Sequence, residues 1–225
     1  MDFEELKRQA NHKVLFYGRS RSGKTRAVTT IALEAAHAGL KVKYVDTESD
    51  GSMSLVNLIE RGDYKREAVR NIEYIVVDNY DELVSNISKD SGSQDKFDLI
   101  IVDTLDHKHT FALRKVTDAK VKSDADWNEY PMIYSTEKQI MEIISKPDTN
   151  FVATLDPESG SMDKPKGAQA NILGFFSVVV RLQKDSDTYA GTIENWIGRD
   201  DVIGATKKTD DVVGAITERV TGDQK

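Results

Sequence analysis

Eight residues, Gly18-Arg19-Ser20-Arg21-Ser22-Gly23-Lys24-Thr25, carry the clearest chemistry in this chain. Two glycines five apart, followed by Lys and Thr, fit G-x-x-x-x-G-K-[ST]. Glycines at the two ends allow a tight turn whose backbone N–H groups converge on phosphate oxygens, and a helix starting there adds its positive end. Lys24 is placed to reach the outer phosphates, and the Thr25 hydroxyl to ligate Mg²⁺. The spacing therefore predicts a nucleoside triphosphate and Mg²⁺ as ligands, with all of Gly18 to Thr25 in contact with phosphate. Arg19 and Arg21 are expected to face solvent.

Phosphate chemistry needs two further groups, one carboxylate in the metal shell and one that orients water. Asp103 ends the apolar run Phe97–Val102. A carboxylate at the carboxyl end of a central strand faces the ligand crevice, so Asp103 is assigned to Mg²⁺ together with Thr25. Thr104 beside it, and Thr154 and Asp156 at the end of a later strand, are candidates for sensing nucleotide state. The segment Tyr44–Asp50 offers Asp46 and Glu48 as the water-orienting group. Glu48, past the strand end, has the longer reach, but residue pattern alone also admits a solvated loop acid.

These groups need a frame. Short apolar runs at Val14–Tyr17, Leu40–Asp46, Asn71–Asp78, Phe97–Asp103 and Asn150–Asp156 read as buried parallel strands. Helical stretches intervene at Lys24–Ala38, around Gly51–Arg61, at Tyr80–Asp90 and at Pro131–Ser145, with Gly39 closing the first and Pro131 opening the last. Strand–helix alternation predicts an α/β fold with a mainly parallel sheet flanked by helices. After Asp156 the alternation stops. Phe175–Gln183 and Ala190–Gly198 read as an antiparallel hairpin on the sheet edge. Residues 1–12 read as a short charged lead-in and 200–225 as a polar tail with weak helical character near Asp211–Val220, all within one domain, 1–225.

The chain has 225 residues, 39% hydrophobic and 31% charged, which suits a globular core rather than disorder. It has no cysteine, and so neither a disulfide framework nor a thiolate metal site. No apolar run reaches a membrane-spanning length, and a cytoplasmic protein without a membrane partner is expected. The net charge of −7 means that any nucleic-acid surface must be a local patch on an acidic body.

Three features in this order resemble RecA/RadA-type ATPases: the phosphate loop, a strand ending in Val45-Asp46-Thr47-Glu48, and a strand ending in Ile100-Ile101-Val102-Asp103. The resemblance spans about Val14 to Arg181 and is nearest to the small core-only viral members associated with recombination and single-strand annealing. It implies a RecA-like P-loop core that binds and hydrolyses ATP, with Glu48 activating water. It also implies a homo-oligomer acting on single-stranded DNA, in the host cytoplasm if viral. The segment Phe3-Glu4-Glu5-Leu6 departs from the F-x-x-A assembly motif of that family. Two loops would approach DNA. The first, 106–128, holds Lys108, Arg114, Lys115, Lys120 and Lys122, with Phe111 and Trp127 as aromatics for stacking. The second, 157–171, holds Lys164 and Lys166, either of which could act in trans on the transition-state charge, with Arg181 and Arg199 as weaker substitutes. A ring-forming regulatory or motor ATPase of the same superfamily, without recombination activity, is the alternative.

Overall fold

The computed structural model describes residues 11–88, 97–117, 128–145, 149–157, 172–186 and 188–222. Eight strands form one sheet: β1 (Lys13–Tyr17), β2 (Val42–Asp46), β3 (Ile72–Val76), β4 (Leu99–Asp103), β5 (Asn150–Leu155), β6 (Val178–Asp185), β7 (Thr188–Trp196) and β8 (Thr206–Lys208). Their spatial order is β3-β2-β4-β5-β1-β6-β7-β8. Every pairing from β3 through β6 is parallel, and only β6–β7 and β7–β8 are antiparallel.

Alternation within each strand sorts the core into two layers. Val14 and Phe16 of β1, with Leu99 and Ile101 of β4, face the helices α1 (Lys24–His37) and α6 (Thr209–Thr221). Leu15 and Tyr17, with Ile100 and Val102, face α3 (Tyr80–Ile87), α4 (Lys108–Thr117) and α5 (Tyr130–Ser145). The helix α2 (Gly51–Glu60) closes a smaller cluster, with Leu55 and Leu58 against Leu33. Alanines 27, 32, 35 and 36 line the buried face of α1. With so little side chain there, the helix lies close on the sheet, and its N-terminus sits at the carboxyl ends of the strands.

The antiparallel hairpin forms where the sequence places it. The tail is helical where weak helical character is expected, α6 covering Asp211–Val220, and residues 206–208 add the short edge strand β8. Val212, Val213, Ile216 and Val220 fall on one helical face and are buried beside α1. Their spacing of one, four and eight is an amphipathic signal, diluted by Gly214, Ala215, Thr217, Glu218 and Arg219 between them. Most of the 106–128 stretch that the structure describes is likewise helix, α4, with Phe111 buried at 3% exposure. Phe111 packs into the core and is not a stacking platform. The lead-in 1–10 and residues 223–225 lie outside the described residues.

Candidate nucleotide-binding site

The loop between β1 and α1 runs over the carboxyl end of the sheet. Gly23 holds φ +93°, a left-handed conformation that a side chain disfavours. Gly18 is required by proximity: a Cβ there would stand 2.3 Å from the Leu182 carbonyl oxygen of β6. The loop thus passes close against β6, while the Gly18 N–H donates to the Leu155 carbonyl at the end of β5 (3.2 Å). Lys24 folds back over the loop, its ammonium donating to the carbonyls of Gly18 (2.9 Å) and Arg19 (3.2 Å). It also pairs with the Asp156 carboxylate beyond β5. ATP phosphates would compete with Asp156 for this ammonium. Arg19 and Arg21 are exposed and, with Lys184, line a groove of about 480 Å³ between the loop and β6, consistent with their solvent-facing assignment. Ser20 is exposed, while the Ser22 hydroxyl is buried with no hydrogen-bond partner among the described residues.

Asp103 sits where β4 ends, beside Asp46 in register on β2. Its carboxylate accepts from the hydroxyls of Thr154 (2.6 Å) and Tyr44 (2.8 Å), and the Thr25 hydroxyl is near enough to favour its charged form. Tyr44 in turn lies 3.4 Å from the Thr29 hydroxyl on α1. Burial raises the Asp103 pKa, and the three hydroxyls only partly offset it. Among the described residues no cation pairs with Asp103. A buried carboxylate held by neutral hydroxyls, with the phosphate-loop threonine nearby, is a donor set that suits Mg²⁺, which keeps several waters and takes few protein ligands alongside phosphates. Among the described residues no cluster of three His, Cys, Asp or Glu could hold a metal.

Glu48 is carried by a turn that Asp46 builds. The Asp46 carboxylate accepts the backbone N–H of Glu48 (2.8 Å), Ser49 (2.7 Å) and Gly51 (2.7 Å), and the hydroxyl of Tyr74. Asp46 is thus structural, and it fixes the direction in which the chain leaves β2. The turn is tied to β4 through Thr47, whose hydroxyl accepts from the Thr104 N–H and donates to the Thr104 carbonyl, both at 2.9 Å. Thr104 itself donates to Asp106 and lies 2.9 Å from the Thr154 carbonyl. The Asp103–Thr104 peptide is cis.

Glu48 is 43% exposed, with His107 Nε2 3.6 Å from its carboxylate. Burial raises its pKa, His107 opposes the rise, and the charges of Asp103, Asp106 and Asp156 add to it. Asp106, also raised by burial, accepts the Asp156 N–H at 2.9 Å. Asp106 and His107 were not singled out for this site by their sequence context. Both follow the "IIVD" strand within four residues, which is the only local signal they carry.

The first DNA-loop set divides. Lys108 is buried, and its ammonium donates to Glu137 of α5 at 3.1 Å. His109 also contacts that carboxylate. Lys108 is therefore a tie between α4 and α5 and not a phosphate contact. Burial would raise the Glu137 pKa, but His109 and Lys108 outweigh it and hold the carboxyl below its usual range. Removing one member of such a pair strands the other charge. Lys108→Met is expected to lose about 3 kcal/mol of stability, seen as a lower thermal midpoint. Lys115 is exposed and pairs with Asp81 at 2.7 Å. Arg114 is exposed. Lys120, Lys122, Trp127, Lys164 and Lys166 lie outside the described residues. Of the weaker trans candidates, Arg181 pairs with Glu194 at 3.3 Å and Arg199 with Asp201 at 2.9 Å.

No family model and no curated protein sequence matches the chain. Solved structures do. A RadB recombinase superposes with a TM-score of 0.61 at 21% identity, over 88% of this chain and 86% of that one. The fold is RecA-like. The flagellar accessory protein FlaH from Methanocaldococcus jannaschii gives a TM-score of 0.52 at 14% identity, over 88% of this chain and 83% of that one. A RecA-like core thus accounts for the parallel strands and for the antiparallel strands β7 and β8 at one edge. Among the described residues no helix is long and apolar enough to cross a membrane.

Proposed function

We propose that this chain is a Mg²⁺-dependent ATPase, and that it works as an assembly of copies on single-stranded DNA in recombination or strand annealing. One observation carries the ATPase reading: where β4 ends beside the phosphate loop lies a buried carboxylate, Asp103, held by the Tyr44 and Thr154 hydroxyls and neutralised by no described cation. The backbone amides of 18–25 and Lys24 hold the phosphates. Thr25 and Asp103 hold Mg²⁺, which when bound neutralises charge on the phosphate oxygens. Glu48 orients a water toward the γ-phosphorus and takes its proton as the new P–O bond forms and ADP leaves. Its raised pKa makes it a better base than a solvated glutamate. Lys164 or Lys166 of a neighbouring copy adds positive charge to the transition state.

Likeness to the RadB recombinase and the sequence resemblance to viral annealing proteins support the single-stranded DNA assignment, in the cytoplasm. A second reading, a ring-forming regulatory or motor ATPase, draws support from the buried Lys108 and the paired Lys115, which leave α4 less basic than its sequence. The test is ATPase rate against protein concentration with and without single-stranded DNA. Stimulation by DNA, rising faster than linearly with protein, is expected. A rate per subunit indifferent to both would replace the first reading with the second.

A further inference from the structure

Tyr44 of β2 is fully buried, and its hydroxyl ends among charged groups. It donates to Oδ2 of Asp103 at 2.8 Å, while Thr154 donates to Oδ1 at 2.6 Å. Each oxygen of the carboxylate thus has its own protein donor, and turning the carboxyl group would break both bonds. Burial, and after it the charge of Asp103, raises the Tyr44 pKa. The phenol therefore keeps its proton near neutral pH and stays a donor.

The same hydroxyl lies 3.4 Å from that of Thr29 on α1. Thr29 donates in turn to the Thr25 carbonyl, one helical turn back, at 2.6 Å. Tyr44 thus stands between the two residues assigned to Mg²⁺. Its ring supports the turn that carries Glu48. A Cβ added to Gly51 would come 2.8 Å from that ring and 2.9 Å from the Asp46 carboxylate, so only glycine lets the turn pack this closely. The Tyr74 ring lies 5.5 Å from the Tyr44 ring, centre to centre, and its hydroxyl donates to Asp46.

We infer that Tyr44 is a positioning residue for the Mg²⁺ site: its hydroxyl, with that of Thr154, fixes the Asp103 carboxylate beside the phosphate loop, while its ring seats the Glu48 turn. The inference rests on the Mg²⁺-dependent ATPase reading and names what holds that site in shape. A hydrogen-bond partner that orients a metal ligand is commonly worth about 10–100-fold in metal affinity or activity. In the sequence Tyr44 sits inside an apolar strand, where an aromatic residue reads as core. Only the fold brings Asp103, Thr29 and Gly51 to it.

The test is calorimetric binding of ATP to the full chain, once with saturating Mg²⁺ and once with the metal chelated. The wild type is expected to bind ATP at least about tenfold more tightly with Mg²⁺. Tyr44→Phe should bind Mg-ATP about tenfold more weakly than the wild type, and metal-free ATP within about twofold of it. Thr154→Val, which removes the donor to the other oxygen, should shift the same way. Tyr74→Phe is the control: it deletes a hydroxyl from the neighbouring ring without touching Asp103, and should keep the Mg-ATP affinity of the wild type. If Tyr44→Phe does not unfold cooperatively on heating, Thr154→Val decides by the same two affinities. Variants that bind Mg-ATP as the wild type does would overturn the inference. So would parallel loss of Mg-ATP and metal-free ATP, or an equal loss in Tyr74→Phe. Wild type that binds no ATP, or binds it indifferently to Mg²⁺, would overturn the ATPase reading and the inference with it.

Discussion

Glu48→Gln binds Mg-ATP with the affinity of the wild type and hydrolyses it about 10²–10⁴ times more slowly, the usual range for loss of a positioned base. The amide keeps the size of the side chain and its backbone anchor, because the turn is built by Asp46 and not by Glu48. What it removes is the group that accepts the proton of water. Single-turnover phosphate release and equilibrium ATP binding separate the two effects. Turnover within a factor of two of the wild type would take the base away from Glu48. The neighbouring carboxylate Asp106 would be the next group to test, since it lies in the same electrostatic cluster.

Asp103→Asn abolishes Mg²⁺-dependent hydrolysis and stabilises the nucleotide-free protein. The variant replaces a buried charge by a neutral amide of nearly the same shape, and the amide can still meet the hydroxyls of Thr154 and Tyr44. The expected gain is about 1–2 kcal/mol, or roughly 2–8 °C in thermal midpoint for a chain of this size. The pH dependence has a definite sign. Because burial raises the folded-state pKa of Asp103 above its unfolded value, the folded state binds protons more tightly. Its penalty is therefore relieved as pH falls from neutral through that raised value. Glu137 works the other way. Its folded pKa is depressed, so its contribution is present above the unfolded carboxylate value and is lost as pH falls through the depressed one. Nucleotide-free protein should gain stability from neutral pH down toward the upper carboxylate range and lose it below that range. The gain should shrink in Asp103→Asn, the remainder coming from Glu48 and Asp106, whose carboxyls burial also raises. A melting temperature lowered by this variant would contradict the view of Asp103 as an uncompensated buried charge.

The phosphate loop was legible because its chemistry is written in consecutive residues, and because β1 and α1 around it are a short apolar strand and an alanine-faced helix. The central strands β1, β4 and β5 were legible for the same reason: buried on both faces, they read as nearly unbroken apolar runs. What stayed hidden depends on contacts distant in sequence. Lys108 looked like a surface cation because nothing near it in the chain announces Glu137, which comes from another helix. Phe111 looked available until α5 and the sheet enclosed it. The role of Asp46 as a turn builder was partly visible in its position at a strand end. The close approach of Leu182 to Gly18 was not visible at all. The α6 helix shows the limit of pattern reading. Its four buried apolar residues lie on one face, but Thr217 and Thr209 are buried with them, so the hydrophobic contrast is weak.

The claim on which the rest depends is that Thr25, Asp103 and Glu48 form a working Mg²⁺-dependent hydrolytic site. Phosphate release from ATP, measured across protein concentrations with Mg²⁺ and with the metal chelated, tests it most directly. Release that requires Mg²⁺ and is suppressed by Glu48→Gln is the predicted result. ATP that binds in the presence of Mg²⁺ yet is not hydrolysed at any protein concentration, with or without single-stranded DNA, would contradict it.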